Sequence, residues 1–146
     1  MKNYFWDPEN KYTEGPLKDY EHWMLQVHYR QSTLGCYIVL CKREGAEKIS
    51  ELRDEELIEL KKVFAEIEQA LLNNKTFTPD WFNYWQMGNQ LRHLHFHGFP
   101  RYEHTRMFDG KEWVDETFGH PPLWSKQDVS HELVKKIREE IKLYLF

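Results

Sequence analysis

Cysteine is scarce in this chain of 146 residues: there are two, Cys36 and Cys41. They stand five apart in one apolar run, and odd spacing on a strand turns them to opposite faces, which argues against a disulfide between them. No Cys-x-x-Cys pair occurs, so a thiolate zinc site has no basis. Net positive charge is lacking too. The formal charge is −4 and the pI is near 6.1, without the basic patch or tail that a nucleic-acid surface needs. Lys61-Lys62 and Lys135-Lys136 are flanked by acids and read as solvated helix faces. No apolar run approaches membrane-spanning length. The stretch Met1 to Pro8 lacks the apolar core of a signal peptide. The expectation is a chain that meets neither membrane nor nucleic acid and works in a reducing compartment, the cytoplasm.

What is present is a single domain's worth of sequence, long enough to build a core without disulfides or metal. Aromatic residues make up 16%, with six Trp, so large rings supply much of the buried area and some are left to stack on a ligand. Residues 1–20, with Pro8, Gly15 and Pro16, read as an irregular lead-in. His22 to Tyr29 and Cys36 to Cys41 read as strands, joined by a turn over Gln31 to Gly35. The next segment predicts a helix. Leu57, Leu60, Phe64, Ile67 and Leu71 recur at helical steps, Asp54, Glu55 and Glu56 sit in its first turn, and Asn73 and Asn74 suit its end. A second helix is expected over 130–144, with Leu133, Val134, Ile137 and Ile141 on one side and Ser130 as N-cap.

Between the helices, Trp81 to Met87 and Leu91 to Phe99 read as two strands joined near Gly88-Asn89. Residues 100–125 form a long connection with one short strand at most, and connections of that kind often carry function. The order strand, strand, helix, strand, strand, helix predicts an α+β domain, its mostly antiparallel sheet packed by helices.

One segment carries most of the chemistry. His93, His95 and His97 alternate with Leu94 and Phe96. On a strand the three imidazoles share one face, about 6.6 Å between neighbours, and the apolar pair enters the core. Three readings arise. The rings could be structural, although packing gains nothing from three titratable groups in a row. They could bind a metal with help from Glu103 and His104. Or one neutral imidazole could attack a phosphoryl centre while its neighbours hydrogen-bond the phosphate oxygens. The third reading accounts for all three residues and fits best.

The segment from His93 to Phe99, followed by Pro100-Arg101-Tyr102, resembles the signature of the histidine-triad (HIT) superfamily, in its bacterial and Fhit-like members. Thr33-Leu34-Gly35 before an apolar strand, Leu52 to Leu60, and Asn83 extend the likeness to residues 22–102. The resemblance implies a HIT-like α+β fold, with about five strands in a mostly antiparallel sheet and two main helices. It implies an enzyme, a hydrolase or nucleotidyltransferase acting at the α-phosphate of a dinucleoside polyphosphate or nucleoside phosphoramidate. His95 matches the nucleophile, and His93 and His97 match the flanking histidines. Asn83, Asn89 and Gln90 match substrate-contacting positions, and His28 stands where the ribose-binding residue is usual. No resident cofactor is implied, though a divalent metal can arrive on the substrate phosphates. A homodimer is implied as well.

The chain departs from the family pattern at several positions. Cys36 replaces a common fourth histidine, Glu44 and Ser50 replace others, Asn89 is shorter than the usual Gln, and Gly98 is not apolar in the usual sense. Tyr29, Trp81, Tyr84 and Trp85 read as core or dimer packing, whereas Trp113 and Trp124 are candidates to cover a ligand. Two non-enzymatic readings stand beside the first: a slow nucleotide-sensing module, and a metal-binding protein using the histidine row.

Overall fold

The computed structural model describes residues 13–146. Its central strand, β5 (His95–Arg101), explains the rest of the architecture. Alternate residues of β5 point to opposite sides of the sheet, so Phe96 faces one way and His95 and His97 the other. Antiparallel neighbours lie on both sides of it, β3 (Tyr37–Cys41) and β4 (Trp81–Trp85), and β2 (Trp23–Val27) and β1 (Pro16–Asp19) continue beyond β3. The sheet order is β1-β2-β3-β5-β4, with every pairing antiparallel.

The Phe96 side of the sheet is the core. Trp23, Leu25 and Val27 of β2 and Tyr37, Val39 and Cys41 of β3 are buried there. Two helices close over them, α1 (Asp54–Asn73) and α2 (His131–Lys142). Val63, Ile67 and Leu71 of α1 and Val134, Ile137 and Ile141 of α2 are fully buried. Each such aliphatic side chain contributes roughly 1.5–3 kcal/mol relative to exposure. Both helix starts follow local chemistry. Ser130 Oγ accepts the Leu133 amide at 3.1 Å, the expected N-cap. In α1, Glu56 is buried, accepts the Arg53 amide at 2.8 Å and holds the Arg43 guanidinium through two 3.0 Å contacts.

The structure corrects four expectations. Leu57 is 44% exposed, and the buried stripe of α1 runs through Glu56, Leu60, Val63, Ile67 and Leu71 instead. Residues 1–12 of the lead-in lie outside the described residues, but its end forms β1, an edge strand that starts at Pro16, where a missing N–H costs nothing. The connection 100–125 holds two short strands, β6 (Arg106–Phe108) and β7 (Lys111–Trp113), paired as a hairpin. Its tip is Asp109-Gly110, both at positive φ (55° and 70°), the requirement of a tight hairpin turn. Finally, β5 begins at His95, so His93 lies before the strand.

The glycine inside the histidine segment has a packing reason. A Cβ on Gly98 would fall 2.2 Å from the Tyr37 ring, which lies across from it on β3. The phenol fills the space that an apolar side chain at position 98 would take.

Candidate active site

Register places the chemistry. Across β3 and β5, Leu40 stands opposite His95 and Ile38 opposite His97, so both imidazoles project from the face that the helices leave uncovered. Their ring centroids are 5.0 Å apart and meet edge to face. His93, off the strand, turns its Nε2 to the Cys41 carbonyl, which can only accept, so Nε2 carries a proton. His95 Nδ1 lies 2.5 Å from the His93 carbonyl. By the same logic Nδ1 of His95 is protonated, and its Nε2 keeps the lone pair. The row is therefore three rings in unequal positions. Two are locked by backbone carbonyls, and His97 is held by ring contacts alone among the described residues.

Burial sets the charge state. His93, His95 and His97 are all buried. Loss of solvation is the largest cause in each case and pulls their pKa values below the usual 6.5, that of His97 to about 2. At neutral pH the rings are neutral, and the cost of stacking like charges does not arise.

A fourth imidazole joins them. His28 follows β2, and its amide donates to the Cys36 carbonyl at 3.0 Å. Position 28 thus lies across the ladder from position 36, where the family pattern often has histidine. Its ring meets that of His97 edge-on at 5.0 Å, and burial lowers its pKa to about 4. The turn behind it is held by Gln31, whose amide donates to the carbonyls of His28 (2.6 Å) and Cys36 (2.8 Å) and accepts from the amides of Gly35 (2.7 Å) and Cys36 (3.2 Å). Thr33 ties the same turn to the Pro100 carbonyl at 2.6 Å. Cys36 itself is buried, with Sγ on Thr33.

His28, His95 and His97 line a cleft of about 630 Å³. Asn89 and Gln90 line it too, as expected, on the loop that follows β4, and Gly88 there adopts φ +67°. Two cations that sequence reasoning passed over, Arg30 and Lys126, complete it with Trp124, and no carboxylate is among the lining residues. The signal was the spacing of Trp124 and Lys126, an aromatic and a cation two apart in one loop.

Other expected residues go elsewhere. Asn83 shares the histidine face, but it stands opposite Phe99 and accepts from Arg101 at 2.6 Å, in a separate hollow. Trp113 is buried in the core. Tyr29 and Tyr84 are structural, with their hydroxyls on Glu14 and Glu68. Trp81 is 66% exposed at the sheet edge, and Trp85 packs on Phe99 and Trp124. Glu103 and His104 are exposed past the end of β5. Among the described residues no three His, Cys, Asp or Glu side chains converge as a metal set.

Trp124 reaches the cleft because a strap is fastened to the far end of β5. Arg101, buried, spends all five of its N–H groups there. It makes a two-point ion pair with Asp115 (2.7 and 3.1 Å), and donates to Asn83, the His120 carbonyl (2.7 Å) and Thr117 (3.3 Å). Asp115 also accepts the Tyr102 amide at 3.1 Å. Beyond Pro121-Pro122 the strap lays Trp124 against His97, centroids 4.9 Å apart, and the Ser125 amide bonds Ser32 at 3.0 Å.

The comparisons with known proteins agree with this picture. A model of the HIT domain matches residues 21–104. A histidine-triad protein of Sinorhizobium meliloti superposes with a TM-score of 0.69 at 17% identity, covering 90% of each chain. A hypothetical histidine triad nucleotide-binding protein of Sulfolobus tokodaii gives 0.59 at 22% identity, over 88% of this chain and 83% of its own. The diadenosine triphosphate hydrolase of Plasmodium falciparum gives 0.60 at 16%, over 90% and 76%. No curated protein matches by sequence.

Proposed function

The chain belongs to the HIT-domain family, and from that premise we propose that it is a nucleotide hydrolase or nucleotidyltransferase working through a covalent nucleotidyl-histidine on His95. The observation that carries this reading is the tautomer of His95: Nδ1–H is spent on the His93 carbonyl, and a neutral Nε2 is left with its lone pair. A nucleophile needs that state at neutral pH.

In the first step Nε2 forms a bond to the α-phosphorus, and the bond from phosphorus to the leaving group breaks. The leaving group takes the electron pair, and a proton from solvent where its basicity requires one. In the second step water, or another acceptor, attacks the same phosphorus and gives up its proton to solvent, the P–N bond breaks, and Nε2 recovers its lone pair. His97 lies beside the attacking ring and His28 beside His97, and we assign both as donors to the non-bridging oxygens as charge builds there. Arg30 and Lys126 supply permanent positive charge at the cleft wall, and Trp124 closes its side. In the described residues β4 is an edge strand of the sheet, available for pairing with a second copy, and a homodimer in the cytoplasm completes the reading.

The test is to mix the protein with adenylated substrates, quench in alkali and locate the nucleotide by mass spectrometry. The expected result is one nucleotide on His95, and a turnover loss on the order of a thousandfold or more in His95→Ala. Undiminished turnover in that variant would sink the mechanism. Thermal stabilisation by nucleotide without its consumption would point to the sensing module instead.

A further inference from the structure

The strap has firm ends and a lightly held middle. Upstream, Arg101 grips Asp115, Thr117 and the His120 carbonyl, and Thr117 Oγ donates to the Pro121 carbonyl at 2.9 Å. Downstream, the Val129 amide donates to the Tyr29 carbonyl at 2.7 Å, and Ser130 caps α2. Residues 122–128 span the gap. The polar ties that fasten this span among the described residues are the Ser125 amide on Ser32 and the Arg30–Asp128 ion pair. That pair is 3.6 Å long between side chains 35% and 36% exposed, a geometry that holds weakly in water.

The rings around His97 divide in the same way. His97 is 7% exposed, and among the described residues the rings of His28, His95, Phe99 and Trp124 pack on it. His95 and Phe99 stand on β5, and the His28 amide is bonded into the ladder at Cys36. Of the four, Trp124 alone rides on the lightly held span. Arg30 grips that span twice, over the Trp124 ring at 5.6 Å and at Asp128. A segment with few polar ties between fixed points opens at lower cost than the sheet beneath it.

We propose that residues 122–128 form a gate over His97, in which Trp124 swings clear between fixed points at Pro121 and Val129 and Arg30 is the latch. Open, such a segment admits a substrate; shut, it keeps water from the reacting groups. The inference concerns access to the imidazole and stands whichever group the histidines transfer.

The test is carbethoxylation of the full chain by diethyl pyrocarbonate at neutral pH, which acts on neutral imidazoles and needs no turnover. Peptide mass spectrometry reads the rate at His97, with exposed His104 as the internal standard. The variant Ser32→Cys/Ser125→Cys, oxidised and with its cross-link mapped, ties the span down where the two serines meet. Its His97 rate should fall on the order of tenfold and return on reduction, because reaction follows the open fraction. Trp124→Ala and Arg30→Gln, which need no cross-link, should each raise the rate about tenfold. Equal rates in the oxidised and reduced forms overturn the proposal, and so does a Trp124→Ala rate equal to that of the unaltered chain. An unaltered rate in Arg30→Gln overturns the latch. A rise shared by His93, which is buried against Cys41, would reflect loosening of the whole fold and overturn the gate as well.

Discussion

The two faces of one sheet are built on different principles. On the helix side, Phe96 packs against Trp23 and Phe64 with ring centroids 6.0 and 5.7 Å away, and volume is the main currency. On the other side, one residue along, the same strand presents His95 and His97 to loops rather than helices. There hydrogen bonds fix His95, through a carbonyl, and Arg101, through a five-point clamp, while ring contacts hold His97. The lesson is that one short strand, by alternating its side chains, keeps stability and chemistry apart at a spacing of a single residue.

The sharpest break of this comparison is the pair His95→Ala and Phe96→Ala. The first should abolish turnover, with a loss on the order of a thousandfold or more, and shift the melting temperature little. The second should cost about 3–5 kcal/mol of stability, with kcat per folded molecule near the parent value. Denaturant unfolding beside steady-state kinetics reads both.

Next comes Arg101→Ala, which leaves Asp115 buried without its partner and should cost about 3–5 kcal/mol. It should also loosen the strap, so the emission of Trp124 changes well below the unfolding transition. Equal emission in the folded variant would show that Trp124 is held without the clamp.

A smaller effect is expected at Gly98→Ala, about 1–3 kcal/mol from the clash with Tyr37. Tyr37→Val in the same chain should recover part of it, so the double variant is less destabilised than the sum of the singles. Additive losses would place the strain elsewhere.

The smallest effect is a slope with pH. The folded histidines refuse a proton that the unfolded chain accepts near 6.5, so their contribution is full above that pH. It is lost as the pH falls below 6.5, down to about 4 for His28 and on to about 2 for His97. Glu56 and Glu66, held below the usual 4.5, enter only below that value. Melting temperatures between pH 7.5 and 4 should therefore decline, and His97→Asn should flatten the decline. An unchanged slope would mean that His97 does not contribute.

Much of the helix side was legible in the sequence, because periodicity and capping are local. Ser130 with Val134, Ile137 and Ile141 predicts α2 nearly to the residue. The open face was less so. Strict alternation assigns His93 to the strand, yet the chain bends there to give the Cys41 carbonyl a partner. Asn83 has the right face and the wrong end of it, a matter of register that only the pairing with Phe99 settles. The hairpin was within reach, since Asp109-Gly110 is a strong turn signal. The Arg101–Asp115 clamp was not, because it joins residues fourteen apart through a fold that sequence spacing does not reveal.

The clamp has a use in protein engineering. Both of its anchoring residues, Arg101 and Asp115, sit outside the β6–β7 hairpin, so the strap is fastened on either side of that excursion. The turn Asp109-Gly110 is then a graft point. A dye or a short peptide inserted there would ride on the fastened strap, reporting its opening without entering the cleft or disturbing the nucleophile.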